Sequence, residues 1–158
     1  MTRTGFPVGV IRTGILAVFL MFGGGAAVAQ ADEIYTGTFD DVAIDGTDTV
    51  AYHTQGVPVE GSDEFTHEWR GATWYFASAE NRDLFAADPE AYAPQYGGFC
   101  AYAVSQGYTA STVPEAWDIV DGKLYLNYSL GVQDRWRGDR DNYITAADEN
   151  WPGIREGL

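Results

Sequence analysis

Two stretches of this chain set strand-forming segments on either side of turns so short that only antiparallel hairpins fit them. In the first, Glu64-Phe65-Thr66-His67-Glu68-Trp69 alternates, with Phe65, His67 and Trp69 on one face and Glu64, Thr66 and Glu68 on the other. That pattern predicts a half-buried strand. Arg70-Gly71 makes the turn and Ala72-Thr73-Trp74-Tyr75-Phe76 returns. In the second, Trp117-Asp118-Ile119-Val120 and Lys123-Leu124-Tyr125-Leu126-Asn127 flank Asp121-Gly122, the strongest hairpin signal present. The single cysteine, Cys100, rules out an intramolecular disulfide, so apolar burial has to hold the fold together. Phe, Tyr and Trp, 15% of the chain, supply that burial and exclude disorder. Each buried ring is worth on the order of 2–3 kcal/mol.

Helices fill the intervals. Asp48 to His53 predicts a helical turn opened by Thr47 or Asp48. Ser78 caps a helix that Asp88-Pro89 interrupts, and Leu84, Phe85 and Tyr92 are expected to pack on the first hairpin. From Gln95 to Gln106, Tyr96, Phe99, Cys100 and Ala103 fall at the i, i+3, i+4, i+7 positions of one helical face, which places Cys100 on an apolar stripe. A last amphipathic helix covers Ser129 to Trp136, and Tyr143 to Ile154 reads as a tail. The expected fold is a small single α+β domain: two antiparallel β-hairpins packed with three or four short helices.

The N-terminus has the order of an export signal. Arg3 and Arg12 give a positive region, Ile15 to Phe22 an apolar core, and Ala27-Val28-Ala29 and Ala29-Gln30-Ala31 two small-x-small cleavage sites. The apolar run is far short of the ~20 residues a bilayer span needs. The expected division is a signal peptide over 1–31, an extended arm over 32–46 and one domain over 47–154, in the periplasm and off the membrane after cleavage. Without Arg3 and Arg12 the mature chain holds seven basic and twenty-three acidic residues, a formal charge of −16. Such a surface repels nucleic acid and anionic membrane and favours cationic partners, metal ions among them.

Several segments resemble the exported YHS-domain proteins of bacteria: Gly46-Thr47-Asp48-Thr49-Val50-Ala51-Tyr52, Gly71 through Asn81, Asp88-Pro89-Glu90-Ala91-Tyr92, Gln95-Tyr96-Gly97-Gly98-Phe99-Cys100 and Val120 through Asn127. The resemblance implies a hairpin-and-helix core with a C-terminal extension, and a family in which cysteines bind copper or zinc through soft thiolates. The cysteine positions of that family fall here at Ala51, at Ala77 and near Asn81. Cys100 lies outside that core.

Other metal donors are Cys100, His53 and His67, a chemically sensible set for copper first and zinc second, though 14 and 33 positions separate them in sequence. Cys100 paired with a histidine could also make a nucleophile. No phosphate-binding loop is present, because Tyr96-Gly97-Gly98-Phe99 has neither the pattern nor the basic residue. The expectation is no enzyme. It is a YHS-type accessory protein that handles metal, or a module for a small ligand or a protein partner on a YHS scaffold whose metal site is lost.

Overall fold

The computed structural model describes residues 1–2, 33–37 and 41–158; the expected signal peptide, apart from its first two residues, lies outside the described residues. The order is helix α1 (Thr49–Thr54), strands β1 (Ser62–Trp69) and β2 (Ala72–Phe76), helices α2 (Ala79–Ala87), α3 (Pro89–Tyr92) and α4 (Ala101–Ser105), strands β3 (Trp117–Val120) and β4 (Lys123–Leu126), then α5 (Leu130–Gly138) and α6 (Arg140–Arg155). The fold is the expected α+β domain with two two-stranded antiparallel sheets.

Both hairpins turn where the sequence places the turn. Arg70 and Gly71 have φ of 50° and 78°, and Asp121 and Gly122 have 51° and 78°. Positive φ at both central residues matches the right-handed twist of the flanking strands. In β1–β2, Trp69 pairs Ala72 and His67 pairs Trp74; in β3–β4, Val120 pairs Lys123. The expected Ser78 cap forms, its Oγ accepting from Asn81 N, and Ser129 Oγ caps α5 in the same way by accepting from Val132 N.

Two apolar clusters result. The first gathers Val50, Tyr52, Trp74, Phe76 and Phe85 under the first hairpin, and the second gathers Tyr96, Val104, Tyr125, Trp136 and Ala147. Strand β4 is the wall between them. Its alternation sends Leu124 and Leu126 into the first cluster and Tyr125 into the second, so a strand buried on both faces welds the halves.

Three expectations are corrected. Leu84 does not pack on the hairpin; it is 36% exposed, and Phe85 alone of that pair enters the core. The helix expected from Gln95 to Gln106 is a 3-10 turn at Gln95–Gly98 followed by the short α4. Tyr96, Gly97 and Gly98 all have positive φ (56°, 62°, 88°), which ends the first turn, and Cys100 becomes the N-cap of α4. The tail is instead the sixteen-residue α6, which continues through Pro152 because it packs along α4.

The N-terminal arm is part of the packing. Ile34 is buried in the first cluster, Tyr35 N donates to Gly97 O at 2.8 Å, and Thr36 bridges to Ala43. A Cβ on Gly97 would run into the Glu33 carbonyl, so only glycine lets the arm cross there.

Candidate functional site

Asp48 is a fully buried carboxylate. As N-cap of α1 its Oδ1 accepts from Val50 N at 3.0 Å and Ala51 N at 3.2 Å. Its Oδ2 accepts from Ala77 N at 2.9 Å and Asn81 Nδ2 at 2.7 Å. A buried charge is tolerable when hydrogen bonds replace its water, and here four do. The partners come from α1, from the end of β2 and from α2, so one side chain joins three segments. Ala51 and Ala77 are also positions at which the family resemblance places cysteines, and Asn81 stands near the third. Each donates to Asp48. The side chains there, two methyls and an amide that points at a carboxylate, supply no thiolate or imidazole for a copper or zinc ion.

The three sequence-derived donors lie apart in role. Cys100 is buried at 1% exposure. Its Sγ lies 3.7 Å from Asn127 Oδ1, as thiol donor, and accepts from Tyr128 N at 3.3 Å. His67 stands on β1 with its ring 6.0 Å from Phe85, half-buried. His53, in the last turn of α1, meets Tyr92 edge-on at 5.5 Å. Its Nε2 is buried without a hydrogen-bond partner among the described residues. Among the described residues no group of three or more His, Cys, Asp or Glu side chains is placed to hold a metal ion.

Burial lowers the pKa of His53 below its ordinary 6.5. The unfolded chain therefore binds a proton that the folded one refuses, and stability is full above that value and declines as pH falls below it. Urea midpoints of the wild type should fall between about pH 7 and 5, and His53→Gln should flatten part of that fall. Identical slopes for the two proteins would rule out His53 as a source.

A separate polar assembly was not legible in the sequence, because its members are far apart along the chain. Glu33, whose side chain is 9% exposed, accepts from Arg70 Nη1 at 3.1 Å and Arg155 Nη1 at 3.0 Å. Arg70 Nη2 also pairs with Glu90, and its guanidinium lies 4.5 Å over the Trp69 ring. Tyr96 Oη donates to Asp148 Oδ1 at 2.8 Å; burial first, and then this bond, raise the phenol's pKa so that it stays a neutral donor. Of these, Glu33, Trp69, Arg70, Glu90, Tyr96 and Asp148 border a cavity of about 200 Å³ between the arm, the β1–β2 turn, residues 93–97 and α6.

No curated protein matches the chain, and no solved structure does. The model of the YHS domain family matches residues 50–96. That span starts two residues after Asp48, takes in the first hairpin, α2 and α3, and stops at Tyr96, where the backbone turns left-handed and the second cluster begins. With the first hairpin, α2 and α3 lying inside that match, residues 50–96 of the chain are similar to the YHS domain.

Proposed function

We propose that this protein is a non-catalytic module for a small ligand or a protein partner, built on a YHS scaffold that has lost its metal site and working in the periplasm after signal removal. The observation that supports this reading is that the side chains of Ala51, Ala77 and Asn81 offer no thiolate, with the Asn81 amide bound to the Asp48 carboxylate, and that among the described residues no group of three or more His, Cys, Asp or Glu is placed to hold a metal ion. Where the family resemblance calls for thiolates, this chain has two methyl side chains and an amide, and that amide is taken up by Asp48 Oδ2.

Cu(I) and Zn(II) titration of the mature protein, with alkylation of Cys100, tests it. The expected result is no saturable site, slow labelling of the native thiol, fast labelling in denaturant, and no change of melting temperature with a chelator. A second reading, metal handling with copper before zinc, draws on His53, whose lowered pKa keeps the imidazole in its neutral, ligating form. It requires a saturable Cu(I) site that protects Cys100 from alkylation and disappears in Cys100→Ser. Finding that site would overturn the first reading.

Export is tested by intact mass. The mature N-terminus should lie at Gln30 or Asp32, after the two small-x-small triplets. Recovery of the protein with residues 1–29 attached would refute both cleavage and the periplasmic assignment.

A further inference from the structure

The cavity beside the arm has walls of two kinds. Trp69, at the end of β1, and Trp151, on α6, give indole surface, and Tyr96 also lines the cavity, with its ring centroid 6.0 Å from that of Trp151. Glu90 and Asp148 stand at the cavity as carboxylates, Glu90 with 69% of its side chain exposed. The cavity's own cation shows what these walls accept: the Arg70 guanidinium rests on the Trp69 face while Glu33 and Glu90 take its N–H groups.

We propose that this cavity binds a small organic cation, an alkylammonium head group, seated against Trp151 and Tyr96 with Asp148 as its counter-charge. It rests on the reading of the chain as a ligand-binding module and names the ligand class for it.

Three considerations select a cation over an anion or a neutral molecule. Both arginines near the cavity are committed to Glu33, which is nearly buried and takes one N–H from each. An anion would have to displace that carboxylate from two charge-assisted bonds. Aromatic faces carry negative quadrupole density and attract ammonium groups within about 6 Å, the more so where water is partly excluded. The acidic chain adds a long-range field of the same sign.

Size sets a second limit. A cavity of roughly 150 Å³ holds benzene, so about 200 Å³ suits a ligand of the order of six to eight heavy atoms.

The backbone at the site points the same way. Tyr96 is a bulky residue held at φ 56°, between the arm it passes under and the glycines that follow. Such conformations cost free energy and persist where the surroundings impose them. Here the distortion is accompanied by the Tyr96 hydroxyl's bond to Asp148, which orients one carboxylate oxygen on the cavity wall.

The test uses the mature protein and three probes: choline, its neutral carbon analogue 3,3-dimethylbutan-1-ol, and acetate. Binding is read from the indole N–H resonances of Trp69 and Trp151. Choline should give a saturable shift of Trp151, and the neutral analogue should bind about tenfold more weakly or not at all. Asp148→Asn, an exposed substitution that keeps the Tyr96 partner, should weaken choline about tenfold with an unchanged near-UV circular dichroism spectrum. Trp151→Phe should retain part of the affinity lost in Trp151→Leu. Equal binding of choline and the alcohol, a preference for acetate, or no saturable shift overturns the proposal. None of these outcomes involves the Cu(I) titration, so the cation site and the lost-metal reading can fail separately.

Discussion

Asp48→Ala should lower the free energy of unfolding by about 3–5 kcal/mol, the largest loss expected of any single polar substitution here. Truncation removes the α1 cap, typically about 1 kcal/mol by itself. It also strands Ala77 N and Asn81 Nδ2, donors that now meet Oδ2 at 2.9 and 2.7 Å. A buried donor left without an acceptor costs roughly 1–3 kcal/mol. Asp48→Asn separates the two contributions. Its amide oxygen can still cap α1, but its NH2 group would face Ala77 N and the Asn81 amide, donor against donor. An intermediate loss of about 2 kcal/mol is expected. Urea unfolding of both variants measures this, and a loss below about 1 kcal/mol in Asp48→Ala would remove the hub role.

Trp74→Ala should cost about 3–5 kcal/mol. The indole is 1% exposed, with its ring centroid 4.8 Å from that of Phe85 and 5.6 Å from that of Trp69, which it meets edge-on. Its Nε1 donates to Trp69 O across the turn. Removing the ring opens a cavity between β2 and α2 that rigid strands cannot close. Trp74→Phe should retain more than half the lost stability, because it keeps the ring contact with Phe85 and gives up only the indole's extra area and its hydrogen bond. Denaturant midpoints at constant slope are the measurement, and parity of the alanine variant with wild type would mean that α2 collapses onto the sheet.

Hairpins and caps were readable because their causes are local. Asp121-Gly122 and Arg70-Gly71 adopt positive φ for reasons contained in two residues, and Asp48 and Ser78 cap from two or three residues away. Leu84 and Phe85 show the limit. Both are apolar neighbours on one helix, and only the angle at which α2 meets the hairpin decides that Phe85 is buried and Leu84 faces water. For α6, Pro152 argued against a helix locally, and packing against α4 outweighed it.

The candidate sites divide the same way. Cys100 was expected on an apolar stripe and is buried, although the helix assumed to carry it breaks at Tyr96 to Gly98. Periodicity could register its apolar neighbourhood but not the Asn127 and Tyr128 contacts, which come from 27 and 28 residues away. Asp48 was legible as a cap and no further, since its partners Ala77 and Asn81 carry no mark of a shared acceptor.

By itself, then, the sequence determined the two hairpins, their turns and the starts of α1, α2 and α5, because these follow from dihedral preference and hydrogen-bond reach over a few residues, and its single cysteine excluded an intramolecular disulfide. Only the tertiary structure decided which aromatic rings meet, how β4 serves two cores, that Glu33 takes an N–H from Arg155 122 positions away, and that Asp48 gathers donors from α1, the end of β2 and α2. Those outcomes depend on distances between segments that chain order does not encode, and they are set by whichever close packing satisfies the buried polar groups.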